Sequence, residues 1–131
     1  VEMCDNTYSQ RDVFLMELTL LNLLKFEIIG PTTKTFTRPY LQIVKEESEE
    51  STLLVDYISQ LTLLHYEFVK YPPSMIAASS VLLTLNTLKE DSDADARDPW
   101  PLALERCSGY SLGQLRECSL ALHRVFMCRG K

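Results

Sequence analysis

The fold of this sequence is decided by one stretch, Tyr71-Pro-Pro-Ser-Met-Ile-Ala-Ala-Ser-Ser-Val-Leu-Leu-Thr-Leu-Asn-Thr-Leu88. Its small and apolar residues would point in every direction around a helix, whereas a surface helix confines its apolar residues to one stripe. The two prolines suit the approach and first turn of a helix, and Ser74 is a candidate cap for the free amides. Small residues at positions 77–80 let neighbouring helices approach closely. The stretch therefore predicts a buried central helix with other helices around it.

The size and composition of the chain predict one domain, or one domain plus a fragment. Of its 131 residues 46% are apolar, which is enough for a sizeable core. Four glycines are few for a β-rich protein, and apolar positions recur at helical spacing, so the predicted fold class is all-α. No apolar run reaches the ~18–20 residues of a membrane span, and the polar N-terminus has no signal-peptide pattern. We expect a soluble protein that has no membrane partner and starts at a domain boundary.

Charge and cysteine usage narrow the class of partner and the compartment. A net charge of −5 at pH 7 repels phosphate backbones, so the sequence predicts a protein partner and no nucleic acid. The cysteines show no C-x-x-C spacing and no regular framework. We interpret them as reduced thiols of a cytosolic or nuclear protein, with a disulfide or a metal site as the alternative: Cys4, Cys107, Cys118 and Cys128.

Apolar periodicity and capping patterns predict the order of the helices. Ser9 and Ser111 are each followed three residues later by a side chain that completes a capping box. Pro39 lies inside the second helix, which is therefore either kinked there or regular only from about Thr37. The predicted helices run from Gln10 to Phe26 with Gly30-Pro31 as the stop, from Thr33 to Glu46, from Ser51 to Lys70, from the prolines to Leu88, from Leu102 to Cys107, and onward from Ser111.

The segments between these helices are polar. Glu46-Glu-Ser-Glu-Glu50 reads as a solvated acidic connector, and residues 89–101 read as a mobile loop whose end is anchored by Trp100. His65 and His123 lack other ligands at metal spacing, so we interpret both as hydrogen-bonded structural residues.

The chain lacks the short motifs that signal catalysis or cofactor binding. It has no glycine-rich phosphate loop, no G-x-S-x-G, no H-E-x-x-H and no cysteine and histidine cluster at metal spacing. We therefore expect no enzyme activity, no cofactor, no metal and no small-molecule substrate. On its residues alone, the chain is predicted to be a soluble helical interaction domain.

Several stretches resemble A-type cyclins, most closely plant-like ones, in the same order and spacing. The junction between the two cyclin boxes is matched by Asp5-Asn-Thr-Tyr8, Val13-Phe-Leu-Met-Glu17, Leu24-Lys-Phe-Glu-Ile28 and Pro31-Thr-Thr-Lys-Thr-Phe36. Successive helices of the second box are matched by Tyr57-Ile-Ser-Gln-Leu-Thr-Leu-Leu64, Tyr71-Pro-Pro-Ser-Met-Ile-Ala-Ala78, Pro99-Trp100, Gly109-Tyr-Ser-Leu112 and Leu122-His123.

The resemblance implies a cyclin-box-like fold of five helices, in which the central helix is surrounded by the other four. Residues 1–30 would hold the last helix of the first box and a linker, and residues 31–131 the second, C-terminal box without its final short helix. The apolar surplus of the first helix would then face helices of the first box. Arg38-Pro-Tyr-Leu41 matches the minimal R-x-x-L degradation signal, but we interpret it as part of a packed helix.

By the same resemblance the protein is a non-catalytic regulatory subunit that binds and activates a cyclin-dependent protein kinase in cell-cycle control, in the nucleus and cytoplasm. The implied kinase-contacting residues are Glu17, Leu21, Phe26 and Ile28. Since the first box makes most contacts in the family, residues 1–131 alone are expected to bind the kinase weakly or not at all. The alternatives are a cyclin-fold module not tied to a kinase, a generic helical adaptor and, more remotely, a helical enzyme.

Overall fold

The computed structural model describes residue 5, residues 7–90, residue 98 and residues 100–128. Its contacts divide the chain into two units, residues 1–30 and residues 31–131. All regular structure of the described residues is helical, without a strand among them. The predicted all-α class is therefore confirmed.

The described part of the chain contains six α-helices and two short 3-10 helices. The first unit holds α1 (Gln10–Leu23). The second unit holds, in chain order, α2 (Thr33–Val44), α3 (Glu49–Leu61), the 3-10 helices Thr62–Leu64 and Tyr66–Lys70, α4 (Pro73–Glu90), α5 (Leu102–Ser108) and α6 (Leu112–Cys128). We call residues 62–70 the 3-10 segment.

Helix α4 lies at the centre of the second unit. It contacts α2, α3, α5 and α6, and every residue from Ile76 to Thr84 is buried. Ala77, Ala78, Ser79 and Ser80 are fully enclosed, because small side chains let several helices pack closely against one stretch of backbone. The predicted buried central helix, and its place among four others, are confirmed.

The start of α4 differs from the expectation in one respect. Pro73 is the first helical residue, so Ser74 lies inside the helix and is not its cap. The Pro72 carbonyl oxygen accepts from the amides of Met75 at 3.0 Å and Ile76 at 3.2 Å. Ser74 Oγ lies 2.9 Å from the hydroxyl of Tyr110, and this hydrogen bond joins the beginnings of α4 and α6.

Helix α3 ends earlier than its apolar periodicity predicts. A continuous helix to Lys70 is wrong, since α3 stops at Leu61 and the chain continues as two 3-10 helices separated by His65 in an extended conformation. The tighter turns bury Phe68 but leave Leu64 exposed, although helical spacing puts both on one stripe. Tyr71 is extended as well, as expected for a residue before a proline.

Helix α2 runs through Pro39 from its first turn. It begins at Thr33, so the alternative of a regular helix only from Thr37 is wrong, and it ends at Val44 because Lys45 takes a left-handed cap conformation with φ 55°. The predicted R-x-x-L stretch lies within α2, where Leu41 is 3% exposed and therefore packed into the core.

The acidic run after α2 is only partly a connector. Ser48 caps α3 by accepting from the Ser51 amide at 3.1 Å, and Glu49 and Glu50 form the first turn of that helix. Carboxylates at this end are favoured by the helix dipole. The run therefore starts a helix as well as linking two.

Trp100 anchors the chain before α5, as predicted. Its side chain is buried, and its indole Nε1 donates a hydrogen bond of 2.8 Å to the Tyr110 carbonyl oxygen. The predicted box at the start of α6 is also present in part, since the Ser111 amide donates to Gln114 Oε1 at 2.9 Å. Residues 91–97 and 99 of the predicted mobile loop lie outside the described residues.

The histidines do not take the structural role expected of them. His65 and His123 are both exposed, and the His65 ring meets the edge of Phe68 at 6.4 Å between centroids.

Cys107, Cys118 and Cys128 are free thiols, and Cys4 lies outside the described residues. Burial raises the pKa of the Cys118 thiol, which makes it an inert core group.

Candidate functional site

The implied kinase-contacting residues all lie in the first unit, on α1 and the turn after it. Ser9 caps α1 as predicted: its amide donates to Asp12 Oδ2 at 3.0 Å, and its Oγ accepts from the Asp12 amide at 3.2 Å. These hydrogen bonds with Ser9 hold the pKa of the Asp12 carboxyl below its ordinary value. The reciprocal box fixes the direction in which α1 starts.

Helix α1 presents large apolar side chains on more than one side. None of its residues is buried, and Phe14, Met16 and Leu23 are each more than half exposed. A lone helix with such a surface is unfavourable in water, since apolar area is stabilised only when it is covered. The predicted apolar surplus of this helix is confirmed.

Glu17 lies on α1 next to apolar side chains. A groove of about 840 Å³ in the first unit is lined by Glu17 together with Val13, Met16 and Leu20. The Glu17 carboxylate is exposed and forms no ion pair with the described residues. A charge beside apolar side chains is well placed to bind a cation on a partner, because a partly dry interface weakens screening.

A left-handed turn after α1 places the apolar candidates. α1 ends at Leu23, not at Phe26, and Gly30-Pro31 does not close it, because Lys25 and Phe26 take φ values of 51° and 58°. The Phe26 amide donates to the Leu21 carbonyl oxygen at 2.9 Å, which brings these two candidates together. Left-handed backbone costs non-glycine residues about 1 kcal/mol each, and such strain is often found at functional sites.

The turn leaves Phe26 and Ile28 exposed, while Leu21 is half-buried. Ile29 is 97% exposed and was not among the predicted residues. The apolar pair Ile28-Ile29 directly before Gly30-Pro31 could have signalled it, because the sequence places this pair between two predicted helices.

The second unit carries an exposed apolar surface on the 3-10 segment. Leu63, Leu64, Tyr66 and Val69 are all largely exposed, with Tyr66 at 88%, and they border a groove of about 840 Å³ that reaches the start of α2. Sequence reasoning missed this surface, because it assigned the segment to a regular helix.

A polar cluster ties the 3-10 segment to α6. Lys70 Nζ lies 2.7 Å from Glu117 Oε1, and the Tyr71 hydroxyl donates to the same oxygen at 2.8 Å. Hydrogen bonds with Lys70 and Tyr71 lower the pKa of Glu117, and the carboxylate of Glu117 raises the pKa of Lys70. The arrangement stabilises a surface contact and offers no catalytic geometry.

The described residues offer neither a metal-binding cluster nor a membrane-spanning helix. No group of three or more histidine, cysteine, aspartate or glutamate side chains in this part of the chain could hold a metal ion. Among the same residues, no helix is long and apolar enough to cross a membrane.

Comparison with known proteins identifies the second unit. The family model described as "Cyclin, C-terminal domain" matches residues 31–131. The chain is 41% identical to the G2/mitotic-specific cyclin C13-1 of Daucus carota, over 98% of this chain and 37% of that protein. It is 37% identical to Cyclin-A1-3 of Oryza sativa subsp. japonica, over 93% of this chain and 25% of that protein.

A third relative, Putative cyclin-A3-1 of Arabidopsis thaliana, is 35% identical over 95% of this chain and 35% of its own length. The chain thus spans between 25% and 37% of these three relatives. The family match agrees with the arrangement of the second unit, in which four helices pack around α4. The chain therefore belongs to the cyclin family, and it resembles the C-terminal part of plant A-type cyclins.

Proposed function

We propose that this chain is part of a non-catalytic regulatory subunit that binds and activates a cyclin-dependent protein kinase in cell-cycle control. In this proposal residues 1–30 hold the last helix of a first cyclin box and a linker, and the protein works in the nucleus and cytoplasm. Family membership supports the kinase as the partner. The observation that carries the proposal is the exposed carboxylate of Glu17 on a helix with no buried residue.

The proposed contact has two parts. Glu17 binds a basic group of the kinase, and the half-buried Leu21 and exposed Phe26 and Ile28 supply apolar area beside it. The charge gives orientation and specificity, whereas the apolar residues give most of the binding free energy. The first unit offers only a small part of such a surface. We therefore expect residues 1–131 alone to bind the kinase weakly and not to activate it.

A chimeric cyclin tests the proposal directly. The aligned residues of the Daucus carota relative are replaced by this chain, and binding to a purified cyclin-dependent kinase is measured by calorimetry, with activation measured by phosphate transfer to a peptide. We expect the chimera to bind and activate. A correctly folded chimera that leaves the kinase inactive, under conditions where the relative activates it, would contradict the proposal.

Glu17→Gln in the chimera tests the proposed ion pair. It keeps the side-chain shape but removes the charge, so binding should weaken about tenfold or more. Glu27→Gln is the matched control, since Glu27 is an exposed carboxylate in the same unit. Equal affinities of both variants would show that Glu17 is only a solvated helix residue. Full activation by residues 1–131 alone would contradict the expectation that these residues carry only a small part of the kinase contact.

A further inference from the structure

A third groove, distinct from the candidate kinase surface, lies between α4 and α6. It has a volume of about 550 Å³, with Leu82 and Leu83 of α4 on one side and Leu112 and Leu120 of α6 on the other. Leu112 is 45% and Leu120 54% exposed. The groove therefore offers apolar area that a row of side chains on a partner segment could cover.

Arg116 is the charged side chain among the described residues that line this groove. Of the described residues that line it, Arg116 and His123 are the ionisable ones, and no carboxylate is among them. Neither forms an ion pair with another described residue. The neighbouring Glu117 is already bound by Lys70 and Tyr71 and does not line the groove. A lining arginine without a lining carboxylate, on a chain with a net charge of −5, favours an acidic partner.

The groove beside the 3-10 segment lacks this property. Its lining includes both Lys34 and Asp56, which pair with each other at 3.0 Å. Its charges therefore do not distinguish an acidic partner from a basic one.

We propose that the groove between α4 and α6 binds an acidic amphipathic segment of a partner protein. Apolar side chains of that segment, about two helical turns apart, cover Leu112 and Leu120, which are themselves two turns apart on α6, and its carboxylates face Arg116 and His123. A guanidinium suits this role because its planar fork can bind both oxygens of a carboxylate. The surface lies in the second unit, so the proposal is independent of the kinase contact assigned to the first.

The test begins with a display library of random 16-residue peptides panned against residues 1–131. We expect the enriched peptides to be acidic, with leucine-like residues at helical spacing. Binding of a selected peptide is then measured by fluorescence anisotropy, at low and high salt. Affinity should fall as salt rises, because exposed charges are screened within ~10 Å at 0.1 M. Failure to enrich any peptide, or enrichment of basic peptides, overturns the proposal.

Two substitutions on α6 map the binding site. Arg116→Glu and Leu120→Asp should each weaken the selected peptide about tenfold or more. Arg124→Glu and Met127→Asp are matched controls, because both residues are exposed on α6 outside the groove lining. A peptide in which one carboxylate is changed to lysine should regain affinity for the Arg116→Glu variant. Equal losses in the controls, or unchanged binding by both groove variants, overturn the proposal.

A third substitution separates loss of binding from loss of folding. Gly113 lines the groove, and a Cβ added there meets only Ser111 Oγ at 4.0 Å. Gly113→Leu should therefore narrow the groove without lowering the melting temperature, since leucine is a better helix former than glycine. Peptide binding should be lost in this variant although its circular dichroism is unchanged, and wild-type affinity here would also refute the site.

Discussion

Enlarging Ala78 tests the enclosure of the central helix. Ala78 lies early in α4, has no exposed surface, and belongs to a core cluster with Val55, Val81 and Leu104. A leucine side chain at this position has no free space to enter, because α2, α3, α5 and α6 all pack against α4. The neighbouring helices must then move apart.

The expected magnitude follows from the cost of overpacking a core. Inserted methylenes destabilise a packed core by about 1–3 kcal/mol, against a total of about 5–15 kcal/mol for a typical domain. For a domain of roughly 100 residues, each kcal/mol lowers the melting temperature by roughly 4–8 °C. Leucine and alanine are both good helix formers, so helix propensity does not explain a loss of this size.

Thermal unfolding followed by circular dichroism measures the effect. Ala103→Leu is the matched control, since Ala103 is exposed on α5. Ser119 on α6 is less suitable as a control, because its Oγ is buried without a hydrogen-bond partner in the described part of the chain. If Ala78→Leu melts no lower than the control, α4 is not enclosed by four helices and the packing argument fails.

Two further predictions concern α2 and the contact between the 3-10 segment and α6. Pro39→Ala should stabilise the protein by about 1–3 kcal/mol in urea unfolding, because an alanine amide can donate to the Thr35 carbonyl oxygen and Pro39 is exposed; an unchanged midpoint would contradict this. The pKa of Glu117 is lowered by Lys70 and Tyr71, so its stabilisation is present above its ordinary pKa of 4.5 and is lost as the pH falls through the lower folded value. The melting temperature of Glu117→Gln should therefore lie below wild type at pH 7 and approach it near pH 3, and a difference that does not depend on pH would show that the charge of Glu117 is not involved.

Local signals in the sequence predicted where most helices begin. The capping boxes at Ser9 and Ser111 and the proline pair before α4 act through neighbouring residues, so they can be read without the fold. Helix ends were less predictable. α1 stops before the predicted Gly30-Pro31 signal, because Lys25 and Phe26 adopt left-handed conformations that residues other than glycine seldom take.

Of the candidate surfaces, one can likewise be predicted from the sequence, whereas two others appear only in the structure. The apolar surplus of α1 is visible in the sequence, since it needs only a count of apolar residues around a helix. The exposed side chains of the 3-10 segment and the groove between α4 and α6 cannot be seen in the sequence, because each depends on which residues from separate helices meet. Glu117 illustrates the point: it is an exposed residue of α6, and its pairing with Lys70 appears only when the two elements pack.

The sequence by itself determined the all-α class and the buried central helix, because composition and periodicity are properties of the chain alone, and its resemblance to A-type cyclins indicated the family. Only the tertiary structure decided that the helix ending at Leu61 gives way to 3-10 turns, that His65 and His123 face solvent, and that Arg116 borders an apolar groove. These features depend on contacts between distant residues, whose packing outweighs local helical preference.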